Sequence, residues 1–154
     1  ALYIGDWFAS VARRAVDLAK KIDARSFLRV KNVHLSLGSD LEDIVRDADF
    51  TIMNEKTYSA IDVRDGNFII TKGKRGSYYV KEDITSRGFS VESVDTTGAG
   101  DAFCAGFIYK IMKGSSVGEA LQFGNAAGAV STTRYGAMDS MPSKKEIESL
   151  MLLT

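Results

Sequence analysis

The sequence predicts an α/β protein with a mainly parallel sheet, and three observations carry that expectation. Short apolar runs of strand length (Phe27–Val30, Phe50–Met53, Phe68–Thr71) alternate with longer stretches of helical periodicity. The strand runs are nearly continuous in apolar residues, as strands covered on both faces are. The third observation is the turn Asp95-Thr96-Thr97-Gly98-Ala99-Gly100-Asp101. It lies between a strand-like run (Phe89, Val91, Val94) and a helix-like run (Ala102, Phe103, Ala105, Phe107, Ile108, Ile111). In parallel α/β sheets, such turns at the carboxyl ends of strands bind ligands.

Composition narrows the class. The 154 residues make one domain or part of one, enough to bury a core. Twenty basic residues balance twenty acidic ones, so the excess of positive charge that nucleic-acid binding requires is absent. No apolar run approaches membrane-spanning length, and the first residues carry no signal-peptide pattern. One cysteine, Cys104, cannot form an internal disulfide and reads as a packing residue in a reducing compartment. A cytoplasmic protein without membrane or nucleic-acid partners is expected.

Taken in order, Leu2–Ile4 reads as a short strand end and Gly5-Asp6 as a turn. Residues 7–22 read as a helix whose inner face is Phe8, Val11, Ala12, Ala15, Leu18, Ala19 and Ile22, with Arg13, Arg14, Lys20 and Lys21 mostly opposite. Trp7 reads as a packing residue, and His34, with no ligand partner near it in sequence, as a loop or surface residue. Ser39-Asp40-Leu41-Glu42 fits a capping box opening a short helix through Val45. Phe50–Met53 is a strand that runs into Asn54-Glu55, and Phe68–Thr71 is a buried strand. The chain returns at Tyr78–Val80, forming an edge hairpin about Gly73 and Gly76. The helix after the glycine turn runs to Met112 and stops at Lys113-Gly114. Ser116–Glu119 is a second capping box, opening a helix rich in small residues (Ala120, Ala126, Ala127, Gly128, Ala129) that ends at Arg134–Ala137. Ser143–Glu146 caps a last helix reaching Leu152.

The chemistry concentrates at the glycine turn. A turn entering a helix leaves backbone N–H groups unpaired, and the helix dipole adds positive potential there. Gly98 and Gly100 let an anion approach the backbone closely. Asp101 would repel a bound phosphate, so anion binding alone does not account for it. A base that takes a proton from a hydroxyl, while the amides hold charge developing on a phosphoryl group, does. No Gly-Lys-Ser/Thr follows the glycines, so this is not a Walker loop.

Asp95-Thr96-Thr97-Gly98-Ala99-Gly100-Asp101, followed by Ala102-Phe103 and Gly106, resembles the second signature of the ribokinase-like (phosphofructokinase-B type) carbohydrate kinases. The resemblance implies a three-layer α/β/α sandwich, with Asp101 as catalytic base and the Gly98, Ala99 and Gly100 amides as anion hole. It implies ATP with Mg²⁺ as cofactors and a small sugar or nucleoside as the second substrate. Nucleotide contacts would come from Asn54, Thr71, Gly73, Arg75, Gly76, Gly100 and Asn125. Asp95, Thr97, Ser131, Arg134, Gly136 and Ser140 would ring a monovalent cation such as K⁺, mostly through carbonyl oxygens. The family pattern Asn-x-x-Glu is met at Asn54 but not at Thr57, which leaves Glu55 as the carboxylate for a magnesium-linked role. The stretch Glu55–Asn67 is short for the helix that the family places there.

The resemblance is dense from Asp49 to Pro142 and maps onto the C-terminal half of a family member. No Gly-Gly pair is present, so the family's first signature is missing, and residues 1–154 read as a single or partial domain lacking the sugar-binding and lid part. The resemblance therefore implies an ATP-dependent sugar kinase or its nucleotide-binding half, with room for a homodimer. A nucleotide- or phosphate-binding module without catalysis is the alternative.

Overall fold

The computed structural model describes residues 1–5 and 7–153, which form two compact units. Asp6, half of the expected Gly5-Asp6 turn, lies outside the described residues.

The first unit takes in residues 1–71 and 79–83. Its elements are β1 (Leu2–Ile4), α1 (Ala9–Lys21), β2 (Ser26–Arg29), a 3₁₀ segment (Asn32–Leu37), α2 (Ser39–Asp47), β3 (Phe50–Asn54), α3 (Glu55–Ser59) and β4 (Phe68–Thr71). The strands lie in the order β1-β2-β3-β4 and every junction is parallel, with Leu2 opposite Ser26, Phe27 opposite Phe50 and Thr51 opposite Phe68. Phe27, Leu28, Ile52, Phe68, Ile69 and Ile70 are at most 2% exposed, which explains the unbroken apolar runs in the sequence. Asp49 locks β2 to the start of β3. Its Oδ2 accepts the N–H and hydroxyl of Ser26, both at 2.8 Å, and its own N–H donates to Ser26 Oγ at 2.9 Å. After β4 the chain turns back, and Val80 N–H reaches Phe68 O at 3.0 Å.

Three local expectations need correction in this unit. Helix α1 buries Ala12, Val16 and Ala19, while Phe8, Val11, Leu18 and Ile22 are 50% or more exposed. Only one side of its apolar arc packs on the unit. His34 is buried. It stacks on Trp7 with ring centroids 4.0 Å apart, and its Nδ1 accepts Lys31 N–H at 3.0 Å. Trp7 is a packing residue as expected, its Nε1–H donating to Arg29 O at 2.9 Å. Ser39 makes no cap: α2 starts from Gly38 at φ 56°, a backbone conformation that places glycine at that position instead. The stretch after β3 does hold a helix, α3, one turn long.

The second unit takes in residues 72–78 and those from Ile84 onward. A 3₁₀ turn (Gly73–Arg75) leads into β5 (Ser77–Tyr79), whose last residue belongs to the first unit. β6 (Ile84–Ser86), α4 (Ala99–Met112), α5 (Val117–Ser131) and α6 (Lys144–Leu152) follow. β6 lies beside β5, so the Gly73 hairpin is not the sheet edge. The strand expected at Phe89–Val94 does not form. Phe89 packs instead against the cluster of Ala102, Phe123, Ala126, Ala127 and Ile147, and the Val94 and Asp95 N–H groups donate to Thr132 O at 2.7 and 3.1 Å.

Helices α4 and α5 meet through small residues. A Cβ on Gly106 would sit 3.1 Å from Ala127 Cβ, and one on Gly124 would sit 3.0 Å from Phe103 O. The small-residue stripe of α5 therefore serves helix–helix approach. Both later capping boxes form as expected, at Ser116/Glu119 and Ser143/Glu146. Helix α4 ends at Lys113-Gly114 with Gly114 at φ 80°, whereas α5 stops at Ser131, short of the expected Arg134–Ala137.

Two expected outcomes follow from this packing. Gly124→Val forces side-chain volume against the Phe103 backbone and lowers stability by roughly 1–3 kcal/mol, read from urea unfolding. The second concerns Asp47, whose carboxyl is held below the usual carboxylate range by the Lys20 hydrogen bond first and by Arg13 in addition. A depressed folded-state value means that the unfolded chain binds the proton more tightly, so this contribution is present at neutral pH and fades as pH falls through the lowered value. Asp47→Asn is accordingly slightly less stable than the parent at pH 7, and the gap in melting temperature closes on acidification.

Candidate active site

The glycine turn is mounted on the chain that follows α5. Asp95 does the mounting. Its Oδ1 accepts Thr97 N–H at 2.9 Å and the Thr97 hydroxyl at 2.7 Å, and its Oδ2 accepts Gly136 N–H at 2.9 Å. The Thr97 hydroxyl, then the Thr97 and Gly136 N–H groups, hold this carboxyl below its ordinary range, so it is an anion at neutral pH. Arg134 extends the support to α6 through Glu146 Oε1 at 2.6 Å, while Glu146 Oε2 caps Ser143.

Gly98 stands at φ 82°, ψ −10°, the conformation of the third residue of a type II turn, which Ala99 N–H closes onto Thr96 O at 3.2 Å. A Cβ there would meet Met141 Cε at 3.0 Å and Ala137 Cα at 3.1 Å. Glycine is thus required by the backbone angle and by the 137–141 segment beneath it. Ala137 and Met141 carry no motif signal that would have marked them in the sequence.

Helix α4 starts directly from this turn, with Asp101 exposed in its first turn. Asp101 N–H and Ala102 N–H both donate to Gly98 O at 2.9 Å. Among the described residues, the N–H groups of Gly98 and Gly100 meet no acceptor. Of the three expected anion-hole amides, Ala99 therefore closes the turn, and those of Gly98 and Gly100 are unspent. The result is a pair of backbone donors at a helix N-terminus with a carboxylate in the same turn.

The remaining second-unit residues fall into two groups. Ser131 and Ser140 are fully buried and donate to Gly128 O at 2.8 Å and Ala137 O at 3.2 Å. Together with Asp95, Thr97, Arg134 and Gly136 they bracket the 128–140 stretch that carries the turn. Asn125 is buried on α5, and its Nδ2 contacts Ser86 O, Ser86 Oγ and Arg87 O at 3.1–3.2 Å. The chain after β6 is thereby fixed to α5, a role that the sequence did not reveal. Gly76 (φ 98°) is tight for an internal reason, since a Cβ would fall 2.1 Å from Ser86 O. Gly73 (φ 56°) has open space, and Lys74 and Arg75 beside it are exposed.

In the first unit, Asn54 Oδ1 caps α3 by accepting Thr57 N–H at 2.8 Å. Thr57 is fully buried, and its hydroxyl donates to Asn32 Oδ1 at 2.6 Å. A carboxylate would leave charge buried at that position, which gives the departure from Asn-x-x-Glu a physical reason. Glu55 opens α3, and Thr71 Oγ1 donates to Met53 O at 3.3 Å.

Residues 39–144 match the pfkB family carbohydrate kinases. The chain belongs to that family. It is 37% identical over 94 residues to Ribokinase of Bacillus subtilis (strain 168), an alignment covering 60% of this chain and 32% of the relative. Two solved structures show the shared ribokinase fold. The nucleoside kinase of Methanocaldococcus jannaschii, described as an archaeal member of the ribokinase family, aligns at TM-score 0.85 and 20% identity over 99% of this chain and 56% of that one. Arabidopsis thaliana ribokinase, complexed with ribose and ATP, aligns at TM-score 0.79 and 23% identity over 94% and 53%. The chain spans about a third of the length of the curated relative and just over half of these solved structures. The α/β fold with a mainly parallel sheet expected from the sequence is therefore the fold of the pfkB family.

Gly98→Ala places a Cβ at positive φ against Met141 and Ala137. The expected cost is about 1–3 kcal/mol of stability, measured by chemical denaturation, with Gly114→Ala, also at positive φ but in open space, costing less.

Proposed function

We propose that the chain is the phosphoryl-transfer half of an ATP-dependent kinase acting on a hydroxyl of a sugar or nucleoside. The observation that carries this reading is the pairing of Asp101 with the unspent Gly98 and Gly100 N–H groups in one helical turn. A carboxylate in the first turn also suits the helix dipole, and beside a bound phosphoryl group it is in addition the group that would take the proton of an attacking hydroxyl. Membership of the family and the ATP and ribose held by the Arabidopsis ribokinase support the substrate classes.

In this reading Asp101 accepts the proton of the attacking hydroxyl, and the Gly98 and Gly100 amides hold charge on the transferring phosphoryl group. Positioning and electrostatics supply most of the acceleration in phosphoryl transfer. Gly73, Arg75 and Gly76 are the second-unit residues that would border the nucleotide, while Asn125 acts indirectly by holding Ser86 and Arg87. Asn54 spends its Oδ1 on the α3 cap, and its Nδ2 makes no hydrogen bond among the described residues, which leaves it a donor for a ligand on the first unit.

Mg²⁺ suits such a site when carried by the nucleotide. Among the described residues no group of three or more His, Cys, Asp and Glu side chains could hold a metal, and Mg²⁺ needs only one or two carboxylates beside phosphates and water. Glu55 is the carboxylate in question, and Mg²⁺ would supply charge neutralisation on the phosphates. A monovalent cation such as K⁺ fits the oxygen donors around Asp95. The Ser131 and Ser140 hydroxyls keep lone pairs, and Arg134 would serve through its carbonyl because its guanidinium is on Glu146.

A binding module without catalysis is favoured by one observation, the buried Thr57 where a kinase of this type has a carboxylate. Turnover of ATP by the natural protein, against a panel of sugars and nucleosides with Mg²⁺ and with or without K⁺, separates the two. Asp101→Asn is expected to lower kcat by roughly 10²–10⁴-fold while ATP binding by calorimetry is retained. Equal turnover by the variant removes the base assignment. ATP binding without turnover of any substrate establishes the module.

A further inference from the structure

Thr57 holds two asparagine side chains at once. Its N–H donates to Asn54 Oδ1 at 2.8 Å, and its hydroxyl donates to Asn32 Oδ1 at 2.6 Å. Thr57 is fully buried, and among the described residues Asn32 is the one acceptor of its hydroxyl. A backbone N–H can only donate, and a buried hydroxyl needs an acceptor, so both asparagines turn their oxygens inward to the same threonine. Their Nδ2 groups are then the outward ends. Neither Nδ2 makes a hydrogen bond with a described residue, and both asparagines are exposed.

The backbone puts this pair where a parallel sheet receives ligands. Asn54 is the last residue of β3, and Asn32 follows the end of β2, its parallel neighbour, at the same end of the sheet. The segment bearing Asn32 is clamped. Lys31 N–H donates to His34 Nδ1 at 3.0 Å, and His34 N–H returns to Lys31 O at 2.9 Å. Trp7, stacked on His34, donates to Arg29 O at 2.9 Å. Two fixed amides with their acceptors spent and their donors outward select a ligand rich in acceptor oxygens and disfavour one that must donate. A phosphate chain answers that description, and its charge strengthens each bond. We propose that Asn32 is a second phosphate-binding donor beside Asn54 on the first unit, with Thr57 as the positioning residue of both. Both donors are side-chain amides, independent of the backbone that opens α3. The assignment of the phosphates to ATP rests on the kinase reading, whereas the donor pair does not.

The test uses the natural protein and two probes, ATP and tripolyphosphate. Asn32→Asp keeps an oxygen for the Thr57 hydroxyl but has no Nδ2. By calorimetry it should bind both probes roughly 10–100-fold more weakly, from the lost donor and the added charge, with the ligand-free melting temperature unchanged. Val33→Asp, which puts the same charge at the exposed neighbouring position, should weaken binding by no more than about twofold. In NMR spectra of the parent, the Asn32 and Asn54 side-chain NH₂ signals should shift together along one tripolyphosphate saturation curve. An unshifted Asn32 signal, unchanged affinity in Asn32→Asp, or an equal loss in Val33→Asp overturns the proposal. Both signals shifting without turnover of any substrate upholds it while the kinase reading fails, and turnover with Asn32 unshifted does the reverse.

Discussion

The Asp95 carboxylate carries the turn on which the candidate site is built. With one oxygen it accepts two donors from Thr97, and with the other it accepts Gly136 N–H, forty-one residues further along the chain. Those bonds set the path of the backbone into Gly98 and hold the 136–141 stretch under it. The left-handed conformation of Gly98, the start of α4 and the first-turn position of Asp101 depend on that arrangement. A carboxylate with hydrogen-bonded oxygens stays ionised, so the clasp remains closed through the neutral range.

The glycines of the second unit divide into two kinds of work. Gly106, Gly124 and Gly128 bring α5 against α4, fixing the helix whose N-terminus is the anion site. Gly98 lets the turn settle onto Ala137 and Met141, and Gly76 lets the 72–78 hairpin approach β6. A sequence motif that resembles a nucleotide-binding loop therefore has internal packing reasons for some of its glycines, independent of any ligand. The chain as a whole has zero formal net charge. Any attraction for an anion at the turn is accordingly local, from the unspent amides and the helix terminus rather than from a basic surface, and it is set against the Asp95 and Asp101 carboxylates.

The sequence by itself determined the α/β class, the parallel core strands, both later capping boxes and the turn with Asp101. Each of these is encoded locally, by continuous apolar runs, by Ser and Glu three residues apart, or by glycines where the backbone turns left-handed. What only the tertiary structure decided are choices between distant partners. The apolar arc of α1 was legible, but not which half of it would be covered, because periodicity cannot say what lies opposite. The Phe89–Val94 run looks like a strand, yet its phenylalanine is claimed by the α5–α6 cluster and its last amides by Thr132. His34 is buried because Trp7 stacks on it, and Asn125 faces Ser86 because β6 passes there. The support beneath Gly98 by Ala137 and Met141 likewise arises from contacts across many residues, and local pattern carries no information about such contacts.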